Sequence, residues 1–277
     1  MMIPLLSIAV IGTVCFGRRD SAAQTEGMDA DQVAVSKADD TAEESTVAVD
    51  NEGEEASESS VNRSLDYYES NAENLSFYEY LDYVSLKKDS VNLALYGDID
   101  TDAAWVNDIT ESMSGSVSGD FMLTDHSYPG YDSYELYIEQ TAQAVREEKP
   151  DVLIYALPAV PDKIRDIGLQ ETEEFMGYVL DRLNTLEDTK IVLLEPYPVP
   201  GEIGQLNSRS LDYRSYLNRM REVSDEYGMT LIPLHAALTD DSSGDSLADY
   251  YDEAGEMNET GTQQVVTVLD ALLTEEM

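Results

Sequence analysis

The sequence has almost no thiol, imidazole or positive charge. Its single cysteine, Cys15, lies inside an N-terminal apolar run, so the rest of the chain has no thiol for a disulfide or a thiolate metal site. Two histidines, His126 and His235, are too few for a histidine-rich zinc site. Lysine and arginine number 16 against 57 acidic residues, a formal net charge of -41. Such a surface repels nucleic acid and anionic membrane, which excludes polyanionic partners. Phenylalanine (four) and tryptophan (one) are scarce as well, whereas tyrosine, at 18, is abundant.

The acid is spread along the whole chain, including the segments that read as helices. That distribution fits a protein working in high salt, where self-repulsion is screened, better than one acidic binding face. Residues 1–19 read as a signal or membrane anchor. Ile3 to Gly17 are apolar or small and end at Arg18-Arg19, but the run is shorter than the roughly 20 residues of a membrane span. It also lacks a basic leader. Retained anchor, cleaved signal and lipidation at Cys15 all place the remainder outside the cytoplasm, although the Arg pair works weakly against that orientation. Thr13-Val14 departs from the small residues that precede a lipidated cysteine.

Residues 20–75, including "DDTAEESTVAVDNEGEEASESS", carry few large apolar side chains. They cannot bury enough surface to offset chain entropy and read as an acidic, self-repelling spacer. From 76 to 277 apolar strands alternate with amphipathic helices. "VNLALY", "GDFMLTD", "DVLIYAL", "KIVLLEP" and "MTLIPL" read as five strands. The helices between them include "DAAWVNDITESM", a single helix "YELYIEQTAQAVREEKP" stopped by Pro150, and "NETGTQQVVTVLDALL" with Asn258 as its cap. Such alternation predicts a three-layer α/β/α sandwich with a five-stranded parallel sheet, flavodoxin-like in size. Ligands of these sheets bind at the carboxyl ends of the strands.

Those strand ends carry the motifs. "LALYGDIDTDAAW", "YPGYDSYEL", "LIYALPAVPD" and "EAGEMNETG" resemble, in order, the sequence blocks of the SGNH/GDSL hydrolases, a family of esterases and acyl hydrolases with this fold. The resemblance covers the chain from about Ser90 to its end. It implies that Asp98 and Ile99 stand where the family has Gly-Asp-Ser, so the nucleophile's position holds isoleucine. It makes Gly130 the second-block glycine of the oxyanion hole. In the third block Asp162 matches the aspartate and Pro161 replaces the asparagine. In the last, Asn258 and Gly261 match, while Glu256 takes the histidine's place and Glu253 the aspartate's. It further implies acylated or acetylated envelope glycans or lipids as ligands, and no cofactor or metal.

The departures bear on chemistry. Serine acyl transfer needs a hydroxyl, a base and a group that orients the base. Ile99 has no hydroxyl, and Pro161 has neither an N–H nor an amide. A single oxyanion donor is worth about 3 kcal/mol. The expectation is a degenerate, non-catalytic or weakly catalytic member tethered to the envelope by its N-terminal segment alone. A rearranged esterase using Ser133, or a water activated by Glu256, is the second reading. For Ser133 the plainer role is capping of the next helix. For His235 it is that of a satisfied polar residue. The third reading is a scaffold module that binds protein only. Asp98, Asp162, Glu253 and Glu256 as a cation cluster is weaker still, because carboxylates at loop ends are expected in so acidic a chain. Tyr128, Tyr131, Tyr134 and Tyr197, in or near the binding-edge loops, suit sugar rings and equally suit loop packing.

Overall fold

A computed structural model describes residues 64–240 and 246–277. The expected anchor (1–19) and most of the expected spacer lie outside them. The end of the spacer is structured, which moves its boundary. Helix α1 (Leu65–Ser70) buries Tyr68, whose hydroxyl donates 2.6 Å to the buried Asp82. The described domain therefore starts at α1 and not at residue 76, because Tyr68, Leu75 and Phe77 supply apolar surface that the preceding acid-rich tract lacks.

After α1 come α2 (Phe77–Lys88), β1 (Ser90–Gly97), α3 (Ala104–Gly115), β2 (Asp120–Ser127), α4 (Ser133–Ile138), α5 (Ala142–Glu148) and β3 (Val152–Ala156). Then follow α6 (Ala159–Arg165), α7 (Leu169–Leu183), β4 (Lys190–Leu194), α8 (Tyr213–Glu226), β5 (Thr230–Ile232), α9 (Leu234–Thr239) and α10 (Glu259–Thr274). The single helix expected over "YELYIEQTAQAVREEKP" is two, α4 and α5. Between them Gln140 adopts φ +55°, a left-handed conformation that no helix interior accommodates. Asp132 caps α4 in a reciprocal box with Glu135, and Ser76 caps α2 in the same way with Glu79.

All five strands are parallel, in the order β2-β1-β3-β4-β5. Their near-continuous apolar sequences follow from burial on both faces. On one face Leu93, Leu95, Ile154, Val192 and Leu194 pack under α2, α3 and α10. On the other, Ala94, Tyr96, Leu153, Tyr155 and Leu193 pack under α4 to α8. The result is the three-layer α/β/α sandwich. The chain reverses its strand order between β1 and β3, and a crevice opens there beyond their carboxyl ends.

Gly97 closes β1 at φ +92°, where an added Cβ lies 2.4 Å from the Ala156 carbonyl oxygen and 2.8 Å from the Tyr155 ring. Both the conformation and the contact demand glycine. Gly97→Ala is expected to destabilise the domain by about 3 kcal/mol, read as a lower midpoint in urea unfolding at constant salt.

Candidate ligand cleft at the strand ends

The crevice is a cleft of about 490 Å³. Asp98, Ile99 and Asp100 enter it from the end of β1, Ala156 and Val160 from β3 and α6, and Glu195 to Tyr197 from β4. Trp105 of α3, Glu256 and Met257 from the turn before α10, and Thr262 of α10 also line it. Among the described residues no histidine, lysine or arginine lines it.

Ile99 is 6% exposed and packs into the core with Trp105, Val106 and Ile109. An aliphatic side chain thus fills the place where the resemblance puts a nucleophile. Asp98 turns the other way, and its Oδ1 accepts the Gly130 N–H at 2.8 Å. Gly130 therefore spends its donor on a protein carboxylate and has none free for an oxyanion. Burial removes water from Asp98 and raises its pKa from 3.8 to about 6, with the Gly130 hydrogen bond opposing the rise.

The third block sits differently from its expected alignment. Pro161 is buried in α6, and the residue of that helix lining the cleft is Val160. The Val160 side chain is aliphatic and brings no amide to this wall. Asp162 faces away from the cleft and is fully buried. It accepts the Ser133 N–H at 2.7 Å, the Ser133 hydroxyl at 2.8 Å and the Thr172 hydroxyl at 2.7 Å. It is a strut joining α4, α6 and α7, and it does not act in the cleft. Ser133 is correspondingly a core residue, 0% exposed. Its hydroxyl is committed to Asp162, which removes it as a nucleophile, and the cap of α4 is Asp132 and not Ser133.

The last block divides as well. Glu256 lines the cleft together with Asp98 and Ile99, while Glu253 is exposed and absent from the lining. The turn that presents Glu256 is built by Asp252, whose Oδ1 accepts the N–H groups of Ala254 (2.8 Å) and Glu256 (3.0 Å). Asn258 caps α10 by accepting the Gly261 N–H at 2.9 Å. Gly261 is required there because a Cβ meets the Tyr250 carbonyl oxygen at 2.3 Å. His235 belongs to a separate depression with Arg214 and Arg221. It shares a 2.9 Å hydrogen bond with the Tyr213 hydroxyl, and burial lowers its pKa. Among the described residues no group of three or more His, Cys, Asp or Glu side chains is placed to hold a metal ion.

Of the candidate residues, then, the structure brings Asp98, Ile99 and Glu256 into one cleft, with Gly130 bonded to its edge. It separates Ser133, Asp162 and Glu253 from it. Val160, Asp100 and Thr262 were not singled out from sequence. Of these only Asp100, two residues beyond Asp98, carried a readable signal, its place at a strand end.

No protein-family model matches this chain, and no curated protein does. Solved structures do. The chain is similar to the acetyl xylan esterase AlAXEase at 19% identity and a TM-score of 0.51, over 65% of this chain and 98% of that one. It is similar to an acetylxylan esterase from Geobacillus stearothermophilus at 15% identity and a TM-score of 0.53, over 67% and 95%. A lipase/acylhydrolase from Enterococcus faecalis gives 15% and 0.51, over 68% and 97%. Likeness at these identities establishes the fold alone, an SGNH/GDSL-hydrolase-like α/β/α fold.

Asp162 makes stability depend on pH. Burial raises its pKa from 3.8 to about 7, against the opposing pull of its three hydrogen-bond donors. The folded state holds the proton more tightly, so this contribution is full below about pH 4 and lost as pH rises through 7. The stability difference between wild type and Asp162→Asn is expected to move against wild type over that window. The slope is on the order of 1 kcal/mol per pH unit, measured by urea unfolding of both proteins at fixed high salt.

Proposed function

We propose that the domain binds an acylated or acetylated glycan or lipid of the cell envelope without hydrolysing it, and that the N-terminal segment holds it outside the cytoplasm. The observation that carries this reading is the buried Ile99 side chain at the end of β1, where serine chemistry needs a hydroxyl. Three further features support it. Among the described residues no histidine lines the cleft, the Val160 side chain carries no amide, and the Gly130 N–H is already engaged by Asp98. The acetyl xylan esterases among the structural neighbours support the ligand class. The acidic "DDTAEESTVAVDNEGEEASESS" tract suits a spacer between envelope and domain.

One alternative has its own support. Asp98, with its pKa raised to about 6, shares the cleft with Glu256. The pair offers an acid and a base to a water molecule.

A chromogenic ester assay separates the two. With 4-nitrophenyl acetate and butyrate in high salt, the full chain is expected to give no turnover above buffer at any pH from 5 to 9. Turnover that disappears in Glu256→Gln overturns the non-hydrolysing reading. Binding is checked by calorimetry with acetylated xylooligosaccharides, where saturable heat is expected from the same protein.

A further inference from the structure

We infer that the cleft selects a ligand bearing a small organic cation, a quaternary or primary ammonium group, and rejects anionic ones. This inference rests on the cleft being a ligand site, as proposed above, and names the charge of what it takes.

Cations are scarce in this chain, and among the described residues none lines the cleft. Lys163 pairs with Glu202, Arg165 with Asp132, Arg214 with Asp212 and Arg221 with Glu195. Asp98, Asp100 and Glu256 all line the cleft, and among the described residues none of them has a salt-bridge partner. Glu195, which also lines the cleft, is paired with Arg221, so neutralising the other three carboxylates is left to whatever enters. A crevice with low-dielectric walls and charges of one sign concentrates the opposite ion.

The second feature is aromatic and independent of the acid. Trp105 and Tyr197 line the same cleft with ring centroids 6.2 Å apart and planes at 77°. Two rings set nearly at right angles make a corner whose π-electrons attract a bulky, weakly hydrated cation, the geometry by which proteins take up quaternary ammonium groups. The three carboxylates line the same cleft as this corner. After burial, the charges of Asp98, Glu256 and Asp100 are what raise the pKa of the Tyr197 hydroxyl. Ile99, Val160 and Met257 supply apolar wall for the methyl or methylene groups. A metal ion lacks such contacts, and no metal-binding set is present among the described residues.

Trp105 is the chain's one tryptophan and lines the cleft, so its fluorescence responds to a ligand there. The full chain at pH 8 in constant 1 M NaCl (about that concentration suppresses diffuse attraction) is titrated with three probes. They are choline, its neutral isostere 3,3-dimethylbutan-1-ol, and an acetylated xylooligosaccharide. Choline is expected to saturate the signal and to bind at least about tenfold more tightly than the isostere. Glu256→Gln is expected to weaken choline severalfold, whereas Glu226→Gln, at the opposite end of the sheet on α8, leaves it unchanged. Equal binding of choline and isostere overturns the cation selectivity and leaves the ligand cleft standing. Equal weakening by the two variants means diffuse attraction only, which overturns it too. Binding of the oligosaccharide without choline also overturns this inference alone. Failure of all three probes overturns the ligand cleft itself.

Discussion

The tight exit of the chain from β1 governs the upper edge of this molecule. At Gly97 the backbone turns at φ +92° against the Ala156 carbonyl, which also accepts the Asp98 N–H at 3.2 Å. The Gly97 carbonyl in turn accepts the Tyr128 N–H at 2.7 Å. One peptide turn thus ties the ends of β1, β2 and β3 together. It also sorts the next two side chains, sending Ile99 into the core and Asp98 toward Gly130. An active serine at this point needs an exposed hydroxyl. Here the same geometry delivers an aliphatic plug.

Buried carboxylates organise the layer beneath. Asp162 gathers Ser133 and Thr172, and Glu195, also fully buried, gathers Arg221 and the Ala236 N–H. Each ties helices on one side of the sheet to a strand end or a neighbouring helix. Glu195 is paired with a guanidinium. Asp162 has only neutral donors, and burial pushes its pKa up to about 7. In a chain of net charge -41, acid is thus put to structural use in the interior as well as spread over the surface.

The order of elements was legible because parallel strands buried on both faces leave unmistakable apolar runs, as in "DVLIYAL" and "KIVLLEP". The cleft was legible at one remove, since strand carboxyl ends could be named before any contact was known. The break between α4 and α5 was not, because Gln140 carries no sequence mark of its left-handed backbone. Nor was the division of the third block. Nothing in "LIYALPAVPD" marks helix α6, which buries Pro161 and leaves Val160 at the cleft wall. Ser133 shows the same limit, because "DSYEL" predicts a capped helix correctly but not that Asp132 caps it while Ser133 bonds a residue 29 positions away.

Sequence by itself determined the fold class, the scarcity of thiol, imidazole and cation, and the identity of the residue at the end of β1. These depend on composition and periodicity, which are local properties of the chain. Tertiary structure alone decided which carboxylates face the cleft and which are struts. Asp98 and Glu256 reach the same cavity from 158 positions apart, while Asp162, placed by the motif beside them, turns into the core. That choice follows from how helices pack on the sheet, and no local pattern encodes it.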